Sequence, residues 1–562
     1  MRIAGVKISH FRGIENCEFV LDEADSLVCL IGKGDSTKST ILNAIRWALA
    51  PSRSLGVEDQ DFYQCDVGEP IVIEVAVRGL PDELISTSKF GLFLTDKPGF
   101  EGATDPVDDG RQPCIAIRLT VADDLDPVRE AYKDDRAKRI GAGDRSLLGV
   151  SAIFGASDSS FTWARGSGLR RLLADEKEIS AVAVNALRRL NSMKGSALID
   201  RSLLCLEDDL KELGVLLEAD NLSARALVHR SKLGIPLALF DGATPVELKG
   251  AGTRKLVDAA VGMGVTEVGA VLVIDEIETG LEPHRLRGLL RGLRKKAESE
   301  GGQAFITTHS PVAITELDEF EVAAVHSTDG VTSVRKMATR ACGNELVRRK
   351  LKACAEAFLA KSVIVCEGKT ELGIVRALEE AGRAHLSLRG VAPVDANGGA
   401  EMFKLARLMN SCGCRTCVFM DSEESKYDGD KKALSSEGIQ VFDWDEGMST
   451  ELQVFNDVPD EVVRNLISLA VDEWDVGRVR DSLERSGPSY DAAGCARVGA
   501  GGCRGFARGR IPTTSGRFRR KRVPISLWVL GFCAVFCGSC SLSLRRPGET
   551  PAYCGVSGRF DL

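Results

Sequence analysis

The stretch LIGKGDSTKSTIL, Leu30 to Leu42, constrains this chain more than any other. An apolar run from Ser26 to Ile31 leads through a glycine-containing turn into a segment whose Ile41, Leu42, Ile45 and Leu49 recur on one helical face. Strand, turn and helix in that order aim a helix N-terminus and a row of backbone N–H groups at one point, which makes an anion site. The spacing is Gly32, four residues, then Thr37-Lys38-Ser39. That is a phosphate-binding loop with Thr37 in the place of its last glycine. Lys38 is then the residue that neutralises phosphate charge, and Ser39 the hydroxyl that ligates Mg2+. Gly32 and Gly34 give the loop a flexible start, while Thr37 brings a Cβ to where main chain runs against the phosphates. Gly32, Gly34, Thr37, Lys38, Ser39 and Thr40 are the expected nucleotide contacts, with hydrolysis slow or conditional because of Thr37. Alone, the loop also fits an ordinary strand-turn-helix.

Three later segments favour the nucleotide. AVLVIDEIETGLEPH ends an apolar strand in Asp275-Glu276, which suits an Asp on the Mg2+ shell and a Glu polarising the attacking water. ITTHSP ends another strand in His309, placed to contact a γ-phosphate. LKGAGTRKL puts Gly250 and Gly252 ahead of a helix, a second N-terminal anion site. Each is common alone; the four in this order are specific.

A second strand-helix alternation begins at SVIVCEGKTELGIVRALEEAG, where a strand ends in Glu367-Gly368 and a helix opens with Thr370-Glu371. CRTCVFMDSEES ends a further strand in Asp421-Ser422-Glu423. Carboxylates at the C-terminal ends of neighbouring parallel strands suit hard cations, since Mg2+ prefers oxygen ligands. Two such ions can activate a water and stabilise the leaving oxygen of a phosphodiester. Taken singly, these acids also fit solvated strand ends and helix N-termini. Cys412, Cys414 and Cys417 stand close together in SCGCRTC, but no fourth ligand is near and Cys417 begins a strand, so a zinc site is not expected.

A chain of 562 residues exceeds one core. Its composition, 44% hydrophobic and 27% charged, is that of a soluble globular protein. No apolar run is long enough to cross a bilayer and MRIAGVKISHFRG is not a signal peptide, so a cytoplasmic protein without a membrane partner is expected. The seventeen cysteines are then expected as free thiols. The predicted organisation is an ATPase part over 1–119, a helical insert and dimerisation region over 120–223, a second ATPase part over 224–345, a carboxylate domain over 346–490 and a tail over 491–562. No internal repeat is evident.

The motif order resembles the ATP-binding-cassette-type ATPases of the SMC and RecF group. Phe11 to Ile14 (FRGI) precedes the loop as in that group, and Gly250 to Thr253 matches its signature motif. Asp275 and Glu276 match the Walker B pair, Glu278 to Glu282 the D-loop and His309 the switch histidine. Gln60 and Gln64 are Q-loop candidates. The resemblance implies a homodimer or larger homo-oligomer in which one subunit's signature segment closes on the ATP of another. Glu-Gly-x-Thr-Glu followed by Asp-x-Glu resembles a Toprim domain, with Glu367 its first acid, Asp421 and Glu423 its acidic pair and Ala396 to Phe403 its glycine-containing turn. Glu451 fits a further acid that nuclease-type Toprim domains place beyond the pair.

An ABC-type P-loop ATPase head with a helical insert, followed by an α/β Toprim domain, looks like the OLD (overcoming lysogenisation defect) family, whose relatives include the nuclease subunit of Gabija phage defence. That resemblance covers roughly Met1 to Asp475. It implies a DNA endonuclease with ATP as regulator, Mg2+ or Mn2+ as cofactor, a helicase-like partner and a role in phage defence or DNA repair. Glu367, Asp421, Glu423 and, in the head, Glu276 are then catalytic; Glu367, Glu371, Asp421, Glu423, Glu451, Ser39 and Asp275 hold metal. The rival reading is a non-catalytic, ATP-switched DNA-binding protein of the RecF kind with a degenerate Toprim domain.

After about Ser489 the texture changes: residues 491–562 carry twelve Lys or Arg and three acids, leaving −17 on residues 1–490. Arg517 to Arg522 (RFRRKR) fits a DNA-binding arm or a disordered basic tail. Neither helical nor strand periodicity continues, which also fits residues read out of the original frame. On the frame reading, resequencing the locus will find a one- or two-base change near the codon for Ser489, and an unbroken native frame in a second isolate would refute it.

Overall fold

The computed structural model describes residues 1–458 apart from 53–54, 97, 99, 101–104, 106–111, 149, 155–160, 162–168, 170–196, 214–221, 227–236, 265–270, 300, 423 and 445–446. Just under half of the expected insert, Glu423 and all residues after 458, the expected tail over 491–562 among them, therefore lie outside the described residues. Two units divide the chain. The first holds 1–367, 389–418 and 430–441; the second holds 368–388, 419–429 and 442–562.

The first unit is built on a thirteen-stranded mixed sheet among the described residues. Its antiparallel part consists of β1 (Arg2–Phe11), β2 (Ile14–Val20), β4 (Ile71–Arg78), β6 (Cys114–Val121), β7 (Val128–Lys133) and β8 (Arg136–Arg139), with the short β5 (Leu94–Thr95) against β6. Its parallel part is β3 (Leu27–Ile31), β14 (Gln303–Thr307), β13 (Val271–Ile274) and β9 (Val150–Ile153), in that spatial order. The hairpin of β15 (Val322–Thr328) and β16 (Val331–Lys336) joins the two parts, β15 pairing with β3 and β16 with β2. A small sheet of β10 (Leu222–Ala226), β11 (Leu237–Asp241) and β12 (Thr244–Pro245) stands apart.

Strands buried on both faces read as continuous apolar runs, and the LVCLI of β3 and VLVI of β13 are wholly buried. Helix α1 (Lys38–Leu49) buries the expected Ile41, Leu42, Ile45 and Leu49 against this core. The expectation of helix from Thr120 onward is corrected. Thr120 and Val121 close β6, and β7, β8 and β9 occupy parts of 128–153. VREAYK alternates with period two, burying Arg129 and Ala131 on the same face, and its backbone completes the ladder of β6. A helix does lie within the insert, α2 (Ala197–Glu212).

A four-stranded sheet follows in the order β18 (Val391–Asp395), β17 (Ser362–Cys366), β19 (Arg415–Met420), β20 (Gln440–Asp443), with β17 and β18 parallel. Eleven cysteines among the described residues are free thiols. Cys412, Cys414 and Cys417 are buried with raised pKa values, Cys414 to about 11, and face different neighbours: Met337 Sδ for Cys412, the Ala360 carbonyl for Cys414. Burial is the main cause of all three shifts.

The far end of α1 is held by a buried cation. Arg129 donates from Nε and Nη2 to the Trp47 carbonyl at 3.1 and 2.9 Å, and burial lowers its pKa to about 10. A cation on the last helical carbonyls offsets the helix dipole. Arg129→Met relieves a buried charge but orphans that carbonyl, which costs more. We expect a loss of about 1–3 kcal/mol in the denaturant transition of the sheet it belongs to; unchanged stability would refute the capping role.

Candidate functional site

The parallel strand order creates the first site. Because β14 lies between β3 and β13, its C-terminal residue Thr307 stands between the Gly32–Ser39 loop and Asp275. Thr307 Oγ1 donates to Asp275 Oδ1 at 2.6 Å and accepts the Glu276 N–H at 2.8 Å. Ser39 Oγ, at the start of α1, donates to the same Asp275 oxygen at 3.0 Å. A hydroxyl and a carboxylate oxygen so placed are hard donors of the kind Mg2+ takes, so the residues fit that ion.

Lys38 is only 4% exposed, and its ammonium lies inside the loop, donating to the carbonyls of Gly32 at 3.1 Å and Lys33 at 2.8 Å and to Ser36 Oγ at 3.1 Å. Burial lowers its pKa, while the negative charges of Asp275 and Asp35 push the other way. A phosphate would replace weak carbonyl partners with charged ones and favour the protonated form.

Thr37 adopts φ 65°, ψ 11°, the left-handed conformation that the missing glycine would take without strain. Its hydroxyl donates to the Ser36 carbonyl at 2.6 Å and lies 3.1 Å from Thr332 Oγ1 on β16. Gly32 is required where it stands, since a Cβ there would lie 2.5 Å from the Val325 carbonyl oxygen at φ +151°. Gly34 is not: its Cβ would meet open space.

The acids after β13 are ordered by groups outside the expected motif. Glu276 has φ 44°, also left-handed. Three bonds hold it: its N–H to Thr307, its carbonyl to Lys255 Nζ at 2.5 Å, and its Oε2 to Thr279 Oγ1 at 3.1 Å. Glu278 accepts from Thr308 Oγ1 and from the backbone N–H of His309, both at 2.7 Å, and so fixes the turn that carries the exposed His309. Thr307, Thr308 and Lys255 were not singled out by motif, although they sit in the quoted ITTHSP and LKGAGTRKL, while Glu278 opens the segment matched to the D-loop.

Gly250 and Gly252 open α3 (Ala251–Gly264). A Cβ at Gly252 would lie 2.2 Å from the Gly280 carbonyl, so close approach within this chain already requires that glycine. Lys255, one turn on, ties the same helix to the Asp275 and Glu276 carbonyls. Of the Q-loop candidates, Gln60 donates to Glu58, and Gln64 (φ 54°) lines a cleft of about 470 Å³ with His10, Glu15, Tyr63, Asp66 and Asp329.

The carboxylate motifs divide between the units. In the first, Glu367 directly follows β17 and its carbonyl accepts the Gly398 N–H at 2.7 Å. The glycine-containing turn lies there as expected, with Asn397, Gly398 and Gly399 all at positive φ before α5 (Gly399–Ser411). In the second unit, Glu371 on α4 (Lys369–Glu380) is 4% exposed, and Oε2 accepts the Gly368 N–H at 2.8 Å. Thr450, at the start of α6 (Thr450–Asp457), connects it to Asp421. Its hydroxyl lies 2.5 Å from Glu371 Oε1 and 2.6 Å from Asp421 Oδ1, its N–H donates to Asp421 at 2.7 Å, and Trp444 Nε1 donates to its oxygen at 2.7 Å.

One hydroxyl proton thus serves two carboxylates, so Thr450 positions both acids. Sequence reasoning missed Thr450 and Trp444, though both fall in the segment that supplied Glu451. Glu371 acts here as a buried capping acid. Glu423 is outside the described residues; Glu451 lies on α6, and its side chain is likewise outside them. Among the described residues, no three His, Cys, Asp or Glu form a metal-binding group. Asp421 and Glu371 are nonetheless the hard oxygen donors that Mg2+ or Mn2+ takes.

Thr37→Gly should relieve about 1–2 kcal/mol of backbone strain. We expect a higher melting temperature for the loop-bearing unit and tighter ATP binding by calorimetry, whereas weaker binding would mean that the Thr37 hydroxyl matters more than the strain.

Two segments of the chain match models of known families. The family model described as "AAA domain, putative AbiEii toxin, Type IV TA system" matches residues 27–315, and that described as "Overcoming lysogenization defect protein-like, TOPRIM domain" matches residues 358–422. Among solved structures, an SMC head bound to the C-winged helix domain of ScpA is 14% identical, covering 59% of this chain and 97% of that one at a TM-score of 0.36. The SMC head domain from Thermotoga maritima is 13% identical, covering 60% and 99% at a TM-score of 0.30. An Smc head domain with an extended coiled coil, bound to the C-terminal domain of ScpA derived from Pyrococcus furiosus, is 13% identical, covering 59% and 95% at 0.35. No curated protein matches the chain. With Ser39, Asp275 and Thr307 in the first matched segment and Glu367 to Asp421 in the second, the chain belongs to the AAA-domain ATPase family and joins that domain to a Toprim domain like that of the overcoming-lysogenization-defect protein.

Proposed function

We propose that this protein is an ATP-regulated, Mg2+- or Mn2+-dependent DNA endonuclease of OLD type, working in the cytoplasm as a homodimer or larger homo-oligomer, in phage defence or DNA repair, beside a helicase-like partner. The observation that carries this reading is one chain holding both the Ser39, Asp275 and Thr307 cluster behind Lys38 and the Glu371, Thr450 and Asp421 cluster in a segment matching a Toprim model. The first is the equipment of a nucleotide site; the second is a cluster of hard oxygen donors.

In the head, Lys38 neutralises the phosphates, Ser39 and Asp275 hold Mg2+, Glu276 orients water, and His309 senses the terminal phosphate. Gly250 and Gly252 face the nucleotide of a second copy. In the Toprim domain, Glu367, Asp421, Glu423 and Glu451 hold the ions, and Glu371 and Thr450 set the position of Asp421. Bound there, the ions supply Lewis-acid charge and an activated water for phosphodiester cleavage.

Supercoiled plasmid with Mn2+ or Mg2+ tests this. The full chain should nick it, Glu367→Ala and Asp421→Asn should each reduce the rate by about 100-fold or more, and Ser39→Ala should remove only the response to ATP. Nicking that survives both acid substitutions sinks the Toprim assignment, and ATP-gated DNA binding without nicking would favour the non-catalytic switch.

A further inference from the structure

The β15–β16 hairpin bears on two functional segments at once. Toward the nucleotide loop, Gly32 rests against the Val325 carbonyl, as its missing Cβ requires, and Thr37 Oγ1 meets Thr332 Oγ1 at 3.1 Å, which in turn donates to Ser327 Oγ at 3.1 Å. Both ends of the phosphate loop therefore lean on this hairpin. Toward the Toprim segment of the same unit, the next residue along β15, His326, receives the turn between α5 and β19. A Cβ at Gly413 (φ +80°) would lie 2.4 Å from His326 Nδ1. Beside it, Cys412 Sγ lies 3.6 Å from Met337 Sδ, just beyond β16. The ring is braced by Thr328 Oγ1, 2.9 Å from Nε2.

Lys33, inside the nucleotide loop, stands near both sides of this joint. Its positive charge lowers the pKa of His326, beneath the larger effect of burial, and opposes the burial that raises Cys414. The Lys33 carbonyl is itself a partner of the Lys38 ammonium. For Lys38 to reach a phosphate it must exchange those carbonyl bonds, which frees the Gly32 to Lys33 backbone to shift against Val325. A packed contact with no room for a methyl group passes such a shift on instead of absorbing it.

We propose that the β15–β16 hairpin transmits nucleotide binding at the Gly32–Ser39 loop to β19, through the contact of His326 with Gly413. Strand β19 starts two residues after Gly413, is buried from Thr416 to Met420, and leads directly into Asp421. His326 is a positioning residue in this scheme and touches neither nucleotide nor DNA. The inference rests on the reading above in taking the loop as the ATP site and Asp421 as a working carboxylate, and its contact chain is a physical path whose coupling must be measured.

Hydrogen exchange on the full chain, with and without a non-hydrolysable ATP analogue and Mg2+, separates the possibilities, with plasmid nicking followed in parallel. In the unaltered protein the analogue should slow exchange in residues 32–40 and also change it in residues 412–420 by about fivefold or more, the low end of measured couplings. His326→Ala and Gly413→Ala should keep the first change and lose the second, and nicking should then ignore ATP. A change at 412–420 without any nicking would refute the endonuclease reading and leave the coupling standing. Nicking with no change at 412–420 would overturn the coupling alone. Absence of protection at 32–40 in the unaltered protein would overturn both, and a response at 412–420 that survives both substitutions would overturn the His326 joint.

Discussion

The hydrogen bond from Thr307 to Asp275 is the contact on which the geometry of the candidate nucleotide site depends. Adjacent strands lie about 4.8 Å apart, so a residue at the end of β14 can reach both its neighbours, and a threonine there spans the gap to Asp275 at 2.6 Å. Ser39 closes the arrangement from the loop side at 3.0 Å. Without an intervening strand, loop and acid would be set by two flexible turns. With it, their separation follows from the pairing of three fully buried strands, the most rigid part of the unit.

That precision is accompanied by local strain and buried charge. Thr37 and Glu276 both sit in left-handed backbone conformations, one on the loop side and one on the strand side of the Ser39 and Asp275 oxygens. Each is held by hydrogen bonds from other elements, Thr37 by Thr332 and Glu276 by Thr307 and Lys255. Strained residues fixed by their surroundings concentrate where geometry matters for chemistry. Lys38 and Lys255 are both buried and have lowered pKa values, yet the acids after β13 favour their charged forms. The two cations and the acids Asp275, Glu276 and Glu278 thus form one mutually compensating group.

The Toprim acids are organised differently. Glu371 and Asp421 reach a common hydroxyl, Thr450, itself 1% exposed and fixed by Trp444. That shared hydroxyl brings one oxygen of each acid to the same point, which sets two hard oxygen donors side by side. Phe419 packs edge-on against Trp444, centroids 5.2 Å apart, so the apolar end of β19 fixes the donor that in turn fixes its own terminal acid.

Periodicity and spacing were enough to put Lys38 and Ser39 on a helix start, Asp275 at a strand end and Glu367 before a capped helix, because each depends on neighbours within a few residues. The same local logic misled over 128–153, where Arg129 reads as a solvent-facing charge until β6 and the Trp47 carbonyl are there to receive it. Thr307, Lys255 and Thr450 left no motif. A threonine or lysine is unremarkable until another element brings an acid to it, over 32, 20 and 29 residues of chain respectively. The sequence by itself determined the strands and helices that carry the motifs, and which residue types could meet phosphate and metal, since both follow from side-chain chemistry and short-range pattern. Only the tertiary structure decided that β14 lies between β3 and β13, that Gly252 is spoken for by Gly280, and that His326 meets Gly413. Strand order and such contacts arise from burying surfaces far apart in the chain, and no local pattern encodes them.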